Sequence, residues 1–131
     1  MTSISVKQPM EGLILSNSVR AAVVGLGKSL ANELGKYNVL VNSVCPGYFL
    51  TERVRSLAER AAQKSKGKPE DLLAKFASQS VLGRVGDPAE FGSLVAFLCS
   101  ERASYITGSA MAIDGGLCTG VHGLHKSRGG G

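Results

Sequence analysis

The sequence predicts an α/β protein built on a parallel sheet, and three observations support that prediction. An amphipathic helical pattern runs from Ser16 to about Gly35, with apolar residues recurring every three or four positions. The segment 39–44 is too uniformly apolar to be a half-exposed strand and is expected to be buried. A last strand follows at 109–113. Strands that alternate with helices are joined by right-handed crossovers, so these strands should lie parallel.

The N-terminal part of the chain contains two expected elements. Residues 1–6 are a short β-prone run and are expected to form a third strand. The first helix begins near residues 16–18, where Ser16, Asn17 or Ser18 can cap its first turn, and Gly35 is a suitable stop. The recurring apolar positions of this helix are Val19, Val23, Leu26, Leu30 and Leu34.

Three further helices are expected between the strands. Residues 50–80 are charged and weakly periodic, and K-G-K-P at 66–69 interrupts them, which predicts two short helices around a flexible turn. The third begins at D-P-A-E, where Asp87 is the N-cap, Pro88 takes the first helical position and Glu90 reaches back as in a capping box. This helix is expected to direct Phe91, Leu94, Val95 and Leu98 inward.

Composition excludes several classes of protein. The chain is 44% hydrophobic and 19% charged, which is ordinary for a globular domain. Its N-terminus has no secretory signal pattern and no stretch is long and apolar enough for a membrane span. Three cysteines without C-x-x-C spacing indicate reduced thiols of a cytoplasmic protein, not disulfides or a zinc site. The tail 119–131, with His122 and His125, is expected to be disordered and not a metal site.

The net charge of +5 is concentrated between residues 53 and 68. One acid, Glu59, accompanies six basic residues there: Arg53, Arg55, Arg60, Lys64, Lys66 and Lys68. Two interpretations are open: a solvated face of a mobile segment, or a surface for an acidic partner such as an acyl carrier protein or a phosphate-bearing thioester. No aromatic-rich basic motif accompanies the charge, so nucleic-acid binding is not expected.

The loop after the segment 39–44 is the first candidate site. V-N-S-V-C-P-G at 41–47 is an apolar strand that runs into Pro46 and Gly47. The strand must end there because proline has no N–H for the next ladder bond. A loop at the carboxyl end of a strand is where an open α/β sheet binds its ligand.

Four motifs in order resemble the second half of the short-chain dehydrogenase/reductase family. They are V-N-x-x-x-P-G-x-x-x-T ending at Thr51, L-G-R-V-G-D-P-A-E at 82–90, Y-I-T-G at 105–108 and D-G-G at 114–116. The resemblance covers residues 1–118. It implies the C-terminal half of a Rossmann-type doubly wound parallel sheet, about three strands with flanking helices, whose first half is missing.

This resemblance implies an NAD(P)-dependent oxidoreductase of the 3-oxoacyl-thioester reductase type. The cofactor would be NAD or NADP, and the substrate a small carbonyl compound or acyl thioester. The catalytic serine of the family aligns with Ser3, or with Ser5 if a two-residue gap is allowed, and its hydroxyl would hydrogen-bond the substrate carbonyl. No metal is implied.

The catalytic Y-x-x-x-K of the family falls on Ser16 and Arg20, so both residues of the pair differ. A serine hydroxyl is a far poorer acid than a tyrosine hydroxyl, and arginine stays protonated, so this pair cannot perform the usual proton transfer. One alternative is that the chain resembles a branch of the family with altered chemistry. In that case Arg20 still contacts the nicotinamide ribose, and Tyr48 is the first candidate for the residue that donates the proton. The other is that Ser16 merely caps the helix.

Five residues are placed by the resemblance at the nicotinamide end of the cofactor: Pro46, Gly47, Tyr48, Leu50 through its backbone, and Thr51. The Thr51 hydroxyl would meet the carboxamide, although it can instead cap the helix that follows. The glycine-rich phosphate loop does not occur in the sequence. A non-enzymatic fragment is therefore the competing interpretation, acting through self-association at the helix 16–35 or through an intact relative.

Overall fold

The computed structural model describes residues 1–120, which contain four α-helices and a two-stranded sheet. The helices are α1 (Ile14–Leu34), α2 (Glu52–Ser65), α3 (Pro69–Gln79) and α4 (Pro88–Leu98). The strands are β1 (Ser43–Pro46) and β2 (Ala110–Ile113), and short 3₁₀ turns lie at Ile4–Val6, Gly35–Tyr37 and Glu101–Ala103. The expected tail, with His122 and His125, falls outside the described residues except for its first two positions.

The two strands pair in parallel, as predicted from the alternation of helices and strands. Ser43 lies opposite Ala110 and Pro46 opposite Ile113. Val44 and Cys45 are buried in the middle of β1, and the strand ends at Pro46 as expected. Helices α2, α3 and α4 lie on the crossover between the strands, so both strands end at the same edge of the sheet.

The prediction that residues 1–6 form a third strand is wrong. Thr2 N–H donates to Val44 O at 2.8 Å, which is the one backbone hydrogen bond between this segment and β1. The Ser3 hydroxyl oxygen accepts the N–H of Ser5 at 3.2 Å and starts a 3₁₀ turn at Ile4–Val6. A serine side chain that bonds to the local backbone competes with a sheet ladder, so the segment leaves the sheet after Thr2.

The predicted strand 39–44 begins four residues and ends two residues too early. Val39 and Leu40 are 44% and 37% exposed and belong to no strand. Upstream of Ser43, the backbone N–H of Val41 donates to the Thr107 hydroxyl oxygen instead of to a strand. The strand begins only where β2 lies opposite, because a sheet residue requires a partner that the local sequence does not reveal.

Helix α1 spans nearly the predicted range, but its predicted cap is wrong. The N-cap is Leu13, whose side chain makes no capping hydrogen bond. The Ser18 hydroxyl donates to Ile14 O inside the helix, and Asn17 Nδ2 donates to Met10 O. Gly35 follows the last helical residue as predicted.

Three of the recurring apolar positions of α1 do not face the sheet. Val19, Val23 and Leu26 are 62%, 42% and 59% exposed. The face that packs on the sheet includes Gly27, where a Cβ would lie 3.0 Å from Ser43 Oγ, and the buried Ala31. Small residues allow the helix backbone to approach β1 closely, so the largest apolar side chains lie on another face.

The two short helices predicted within residues 50–80 are confirmed, and so is the predicted start of α4. The turn between α2 and α3 contains Lys66 in the left-handed region, at φ 54°. At the start of α4, Asp87 Oδ1 accepts the N–H of Ala89 and Glu90 Oε2 accepts the N–H of Asp87, each at 2.8 Å. The predicted inward residues of α4 are its four partly buried positions: Phe91, Leu94, Val95 and Leu98. None of the helices within residues 1–120 has the length and apolar character to cross a bilayer.

Candidate functional site

A cleft of about 320 Å³ opens at the carboxyl end of β1. The N-terminal segment, α1, the loop after β1 and the first turns of α2 and α4 contribute to its walls. Six residues predicted from the sequence line this cleft: Ser3, Arg20, Pro46, Gly47, Tyr48 and Thr51. Segments that lie far apart in the chain therefore meet at the edge of the sheet where an α/β protein binds its ligand.

Gly47 follows β1 at a point of close backbone contact. Its N–H donates to Ile113 O at 2.9 Å, and a Cβ at this position would lie 2.8 Å from both Cα and Cβ of Asp114. No side chain fits in that space. Glycine here lets the loop after β1 pass tightly against the end of β2, which forms one wall of the cleft.

Tyr48 lies between the cleft and α3. Its ring stacks on Phe76 of α3, with centroids 4.1 Å apart and planes 9° apart. Burial raises the pKa of the Tyr48 hydroxyl above its ordinary value near 10. The hydroxyl therefore stays protonated at neutral pH and is a hydrogen-bond donor.

Thr51 lines the cleft and also caps α2. Its Oγ1 accepts the N–H of Val54 at 3.4 Å, as the capping alternative predicted. An accepting hydroxyl keeps its own hydrogen. Thr51 can therefore cap the helix and still donate a hydrogen bond into the cleft.

The two candidate serines lie in different surroundings. Ser3 lines the cleft, and its hydroxyl accepts the N–H of Ser5, which leaves the O–H of Ser3 available as a donor. Ser5 is 3% exposed and does not line the cleft, and its hydroxyl has no hydrogen-bond partner among the described residues. The structure brings Ser3, and not Ser5, to the cleft.

The side chains of Ser16 and Arg20 are hydrogen-bonded to each other on α1. Arg20 Nε donates to Ser16 Oγ at 3.1 Å, and Arg20 Nη1 donates to the backbone carbonyl of Thr2 at 2.8 Å. Ser16 lies inside the helix and does not cap it, so that alternative is wrong. The guanidinium ties the N-terminal segment to α1 and lines the cleft with its remaining donors.

Two predicted site residues, Ser16 and Leu50, are not among the residues that line the cleft. Leu50 lies behind its wall. Its backbone N–H donates to Gly86 O at 2.8 Å. The hydrogen bond holds the loop after β1 against the segment that precedes α4. Leu50 thus supports the wall of the cleft from behind.

Several cleft residues were missed by the sequence interpretation. Phe49 and Phe91 meet edge to face, with ring centroids 5.8 Å apart and planes 79° apart, and form an apolar wall. Arg53, in the first turn of α2, also lines the cleft. The inward position predicted for Phe91 was a usable signal, whereas Arg53 had been grouped with the other basic residues of its segment.

The cleft fits the nicotinamide end of an NAD(P) cofactor. A carboxamide oxygen and ribose oxygens require hydrogen-bond donors, and the cleft offers the Ser3 hydroxyl, the Thr51 hydroxyl and the Arg20 guanidinium. Gly47 has no side chain, which leaves room for the ligand beside the loop after β1. The described residues include no His, Cys, Asp or Glu cluster that could hold a metal ion.

Comparison with known proteins gives a consistent result. A family model described as Enoyl-(Acyl carrier protein) reductase matches residues 1–118. Oxidoreductase UcpA of Salmonella typhimurium is 44% identical over 97 residues, which are 74% of this chain and 36% of the relative. The 3-oxoacyl-[acyl-carrier-protein] reductase FabG of Aquifex aeolicus is 42% identical over 106 residues, which are 81% of this chain and 38% of the relative.

Solved structures agree with the sequence matches. L-sorbose reductase from Gluconobacter frateurii, complexed with NADPH and L-sorbose, superposes with a TM-score of 0.87 at 33% identity. The superposition covers 92% of this chain and 46% of that one. The chain thus spans between one third and one half of the length of these proteins, and its two-stranded sheet is part of a Rossmann-type α/β domain.

Proposed function

The chain belongs to the short-chain dehydrogenase/reductase family, and from this membership we propose that it acts in NAD(P)-dependent reduction of 3-oxoacyl thioesters. The observation that carries the proposal is the cleft at the end of β1, which gathers Ser3, Arg20, Gly47 and Thr51. The name of FabG supports the substrate class, since it is a 3-oxoacyl-[acyl-carrier-protein] reductase. In this proposal, residues 1–118 are part of an NAD(P)-binding domain.

The donors in the cleft have distinct roles in this proposal. An NAD(P)H cofactor held here would supply the hydride for the carbonyl carbon, and the carbonyl oxygen would take a proton from an acid of the protein. The Ser3 O–H orients the carbonyl oxygen by donating a hydrogen bond to it. Thr51 donates to the carboxamide of the cofactor, and Arg20 to its ribose.

The source of the proton is the unusual part of this site. Ser16 accepts a hydrogen bond from Arg20 and cannot replace a tyrosine as the acid. Tyr48 lines the cleft with a hydroxyl that burial keeps protonated. We assign Tyr48 as the alternative acid, although its raised pKa makes it a weaker acid than an ordinary tyrosine.

The protein is proposed to act in the cytoplasm with an acyl carrier protein or another carrier of thioesters as its partner. All three cysteines, Cys45, Cys99 and Cys118, are free thiols, which suits a reducing compartment. The six basic residues between 53 and 68 are all exposed and offer a surface for an acidic carrier.

A chimera tests the reductase function. The part of Aquifex aeolicus FabG that precedes its matched region is fused ahead of residue 1, and NADPH consumption is followed with acetoacetyl-CoA. Slow but measurable turnover supports the proposal. A chimera that is folded and binds NADPH, yet shows no turnover either as it stands or with the substitutions described next, contradicts it.

Restoring the usual catalytic pair is the sharper form of this test. In the chimera, Ser16→Tyr with Arg20→Lys is expected to raise turnover by about 10²-fold or more, because a positioned general acid contributes that much. Ser18→Tyr with Arg20→Lys is the matched control and should give no gain, since residue 18 lies on another side of α1. An equal gain in both variants would contradict the roles assigned to residues 16 and 20.

A non-enzymatic role is the second candidate, and one observation favours it. Helix α1 exposes a stripe of large apolar side chains on one face: Leu15, Val19, Val23 and Leu26. Such a face is typical of a surface that another helix covers. In this case the chain acts by associating with itself or with an intact family member.

A further inference from the structure

The charged side chains that line the cleft are both arginines. Arg20 comes from α1 and Arg53 from the first turn of α2, and no aspartate or glutamate lines the cleft. Met1 also lines the cleft, and the remaining walls are hydroxyl, aromatic and small apolar groups. Because no acid is among the lining residues, the two guanidinium groups give the cleft a positive potential, which its low-dielectric walls focus.

Nothing else in the described structure explains Arg53. Its guanidinium forms no hydrogen bond or ion pair within residues 1–120, where the one ion pair joins Arg84 to Glu90. It lies two residues after the N-cap Thr51. A cation in the first turn opposes the helix dipole, so this arginine is unfavourable for α2 itself.

Arg20, by contrast, is held in place. Two of its nitrogens donate to Ser16 Oγ and Thr2 O, both of which are uncharged acceptors. A guanidinium has five N–H donors, so donors remain for a ligand, and its positive charge has no counter-ion in the structure. The cleft therefore has one oriented cation and one cation without a partner.

We propose that this cleft binds carbonyl substrates that carry a negatively charged carboxylate, and that Arg53 selects them. The inference rests on the proposed reductase function and extends its substrates from thioesters to free 3-oxo acids. The forked geometry of a guanidinium matches the two oxygens of a carboxylate. A carboxylate in the cleft provides the acceptor that Arg53 lacks within residues 1–120.

The test compares acetoacetate with acetoacetamide, which have nearly the same size and differ in charge. Binding of each to the 131-residue chain is measured by ¹H–¹⁵N NMR titration, following the amides of Gly47, Thr51 and Arg53. Acetoacetate is expected to bind about fivefold more tightly, as fits a single partly exposed ion pair. Equal binding of the two compounds overturns the inference while leaving carbonyl binding by the cleft intact.

Two substitutions separate a specific contact from general charge. Arg53→Gln should abolish the preference for acetoacetate. Arg55→Gln removes the same charge from the same helix at an exposed position outside the cleft, and should keep the preference. Arg53→Lys keeps the positive charge but loses the two parallel N–H donors of the guanidinium, so it should retain part of the preference for acetoacetate. Equal losses with Arg53→Gln and Arg55→Gln overturn the inference.

An additional titration tests whether the anion that the two arginines bind belongs to the substrate or to the cofactor. Inorganic diphosphate is titrated as a probe for the diphosphate of NAD(P). If diphosphate shifts the Arg53 amide and acetoacetate does not, the arginine pair serves the cofactor and the inference is overturned. If neither carbonyl compound binds, it is likewise overturned, while turnover of acetoacetyl-CoA by the chimera still decides the reductase function.

Discussion

At the scale of single residues, Gly47 shows how one missing side chain shapes the cleft. The end of β2 occupies the space into which a Cβ would project, with Asp114 Cα 2.8 Å from the Cβ position. Neither partner can move easily, because Asp114 accepts the N–H groups of Gly116 and Cys118 through its carboxylate. The loop after β1 is therefore tightly fitted on this side.

Gly47→Ala is expected to destabilise the protein by about 1–3 kcal/mol, the usual cost of forcing extra atoms into a packed site. Gly25→Ala is the matched control. Residue 25 lies in α1 with no atom within 4 Å of its Cβ position, so alanine there should stabilise the helix by about 0.8–1 kcal/mol. Urea unfolding of the three proteins measures both effects, and a neutral Gly47→Ala would show that the loop can shift.

A second effect of a single residue is that Glu90 makes the stability of the folded protein depend on pH. Hydrogen bonds from Arg84, and then from the backbone N–H of Asp87, lower the pKa of Glu90 from its ordinary value of 4.5 to about 2. A carboxyl whose pKa is depressed by folding stabilises the folded state above its unfolded pKa. That contribution is lost as the pH falls from 4.5 toward 2.

We therefore expect the melting temperature of the unmodified protein to fall more steeply over this acid range than that of Glu90→Gln. Glu70→Gln is the control, because Glu70 also lies in the first turn of a helix but pairs with no arginine of residues 1–120. Its acid profile should follow that of the unmodified protein. Identical profiles for Glu90→Gln and the unmodified protein would contradict this account.

At the scale of elements, the start of α4 depends on a local hydrogen-bond pair. Asp87→Ala removes the acceptor for the N–H of Ala89 and should cost about 1 kcal/mol of stability, a typical value for an N-cap. Lys68→Ala changes the N-cap of α3, whose side chain makes no capping bond, and should have little effect. Hydrogen exchange of the first turn of α4 measures the difference, and equal protection in both variants would contradict the prediction.

At the scale of the whole molecule, the exposed stripe on α1 predicts self-association. Burying apolar surface stabilises a protein by roughly 25 cal/mol for each Å² removed from water. The exposed stripe on α1 gains this free energy if another copy of the helix covers it. Val19→Glu with Leu26→Glu should therefore shift sedimentation toward the monomer. Ala21→Glu adds a charge on a different, exposed face of the same helix and should leave the oligomer intact. A compact monomer of the unmodified chain at high concentration would contradict the prediction.

Features that depend on neighbours in the chain could be predicted from the sequence. The capping box of α4, the break between α2 and α3, and the end of β1 at Pro46 each follow from side chains and backbone groups a few residues apart. The motif around Pro46 and Gly47 also located the loop of the candidate site. Local hydrogen bonds and backbone restrictions act in the same way wherever the segment lies in the fold.

Other features were decided only by the tertiary structure. The choice of Ser3 over Ser5 for the cleft followed from a 3₁₀ turn, and the start of β1 from the position of β2. The packed face of α1 was selected by the close approach at Gly27, and Arg53 joined Arg20 only because α1 and α2 border the same cleft. Each of these outcomes depends on which distant segments meet, and a segment's own residues do not contain that information.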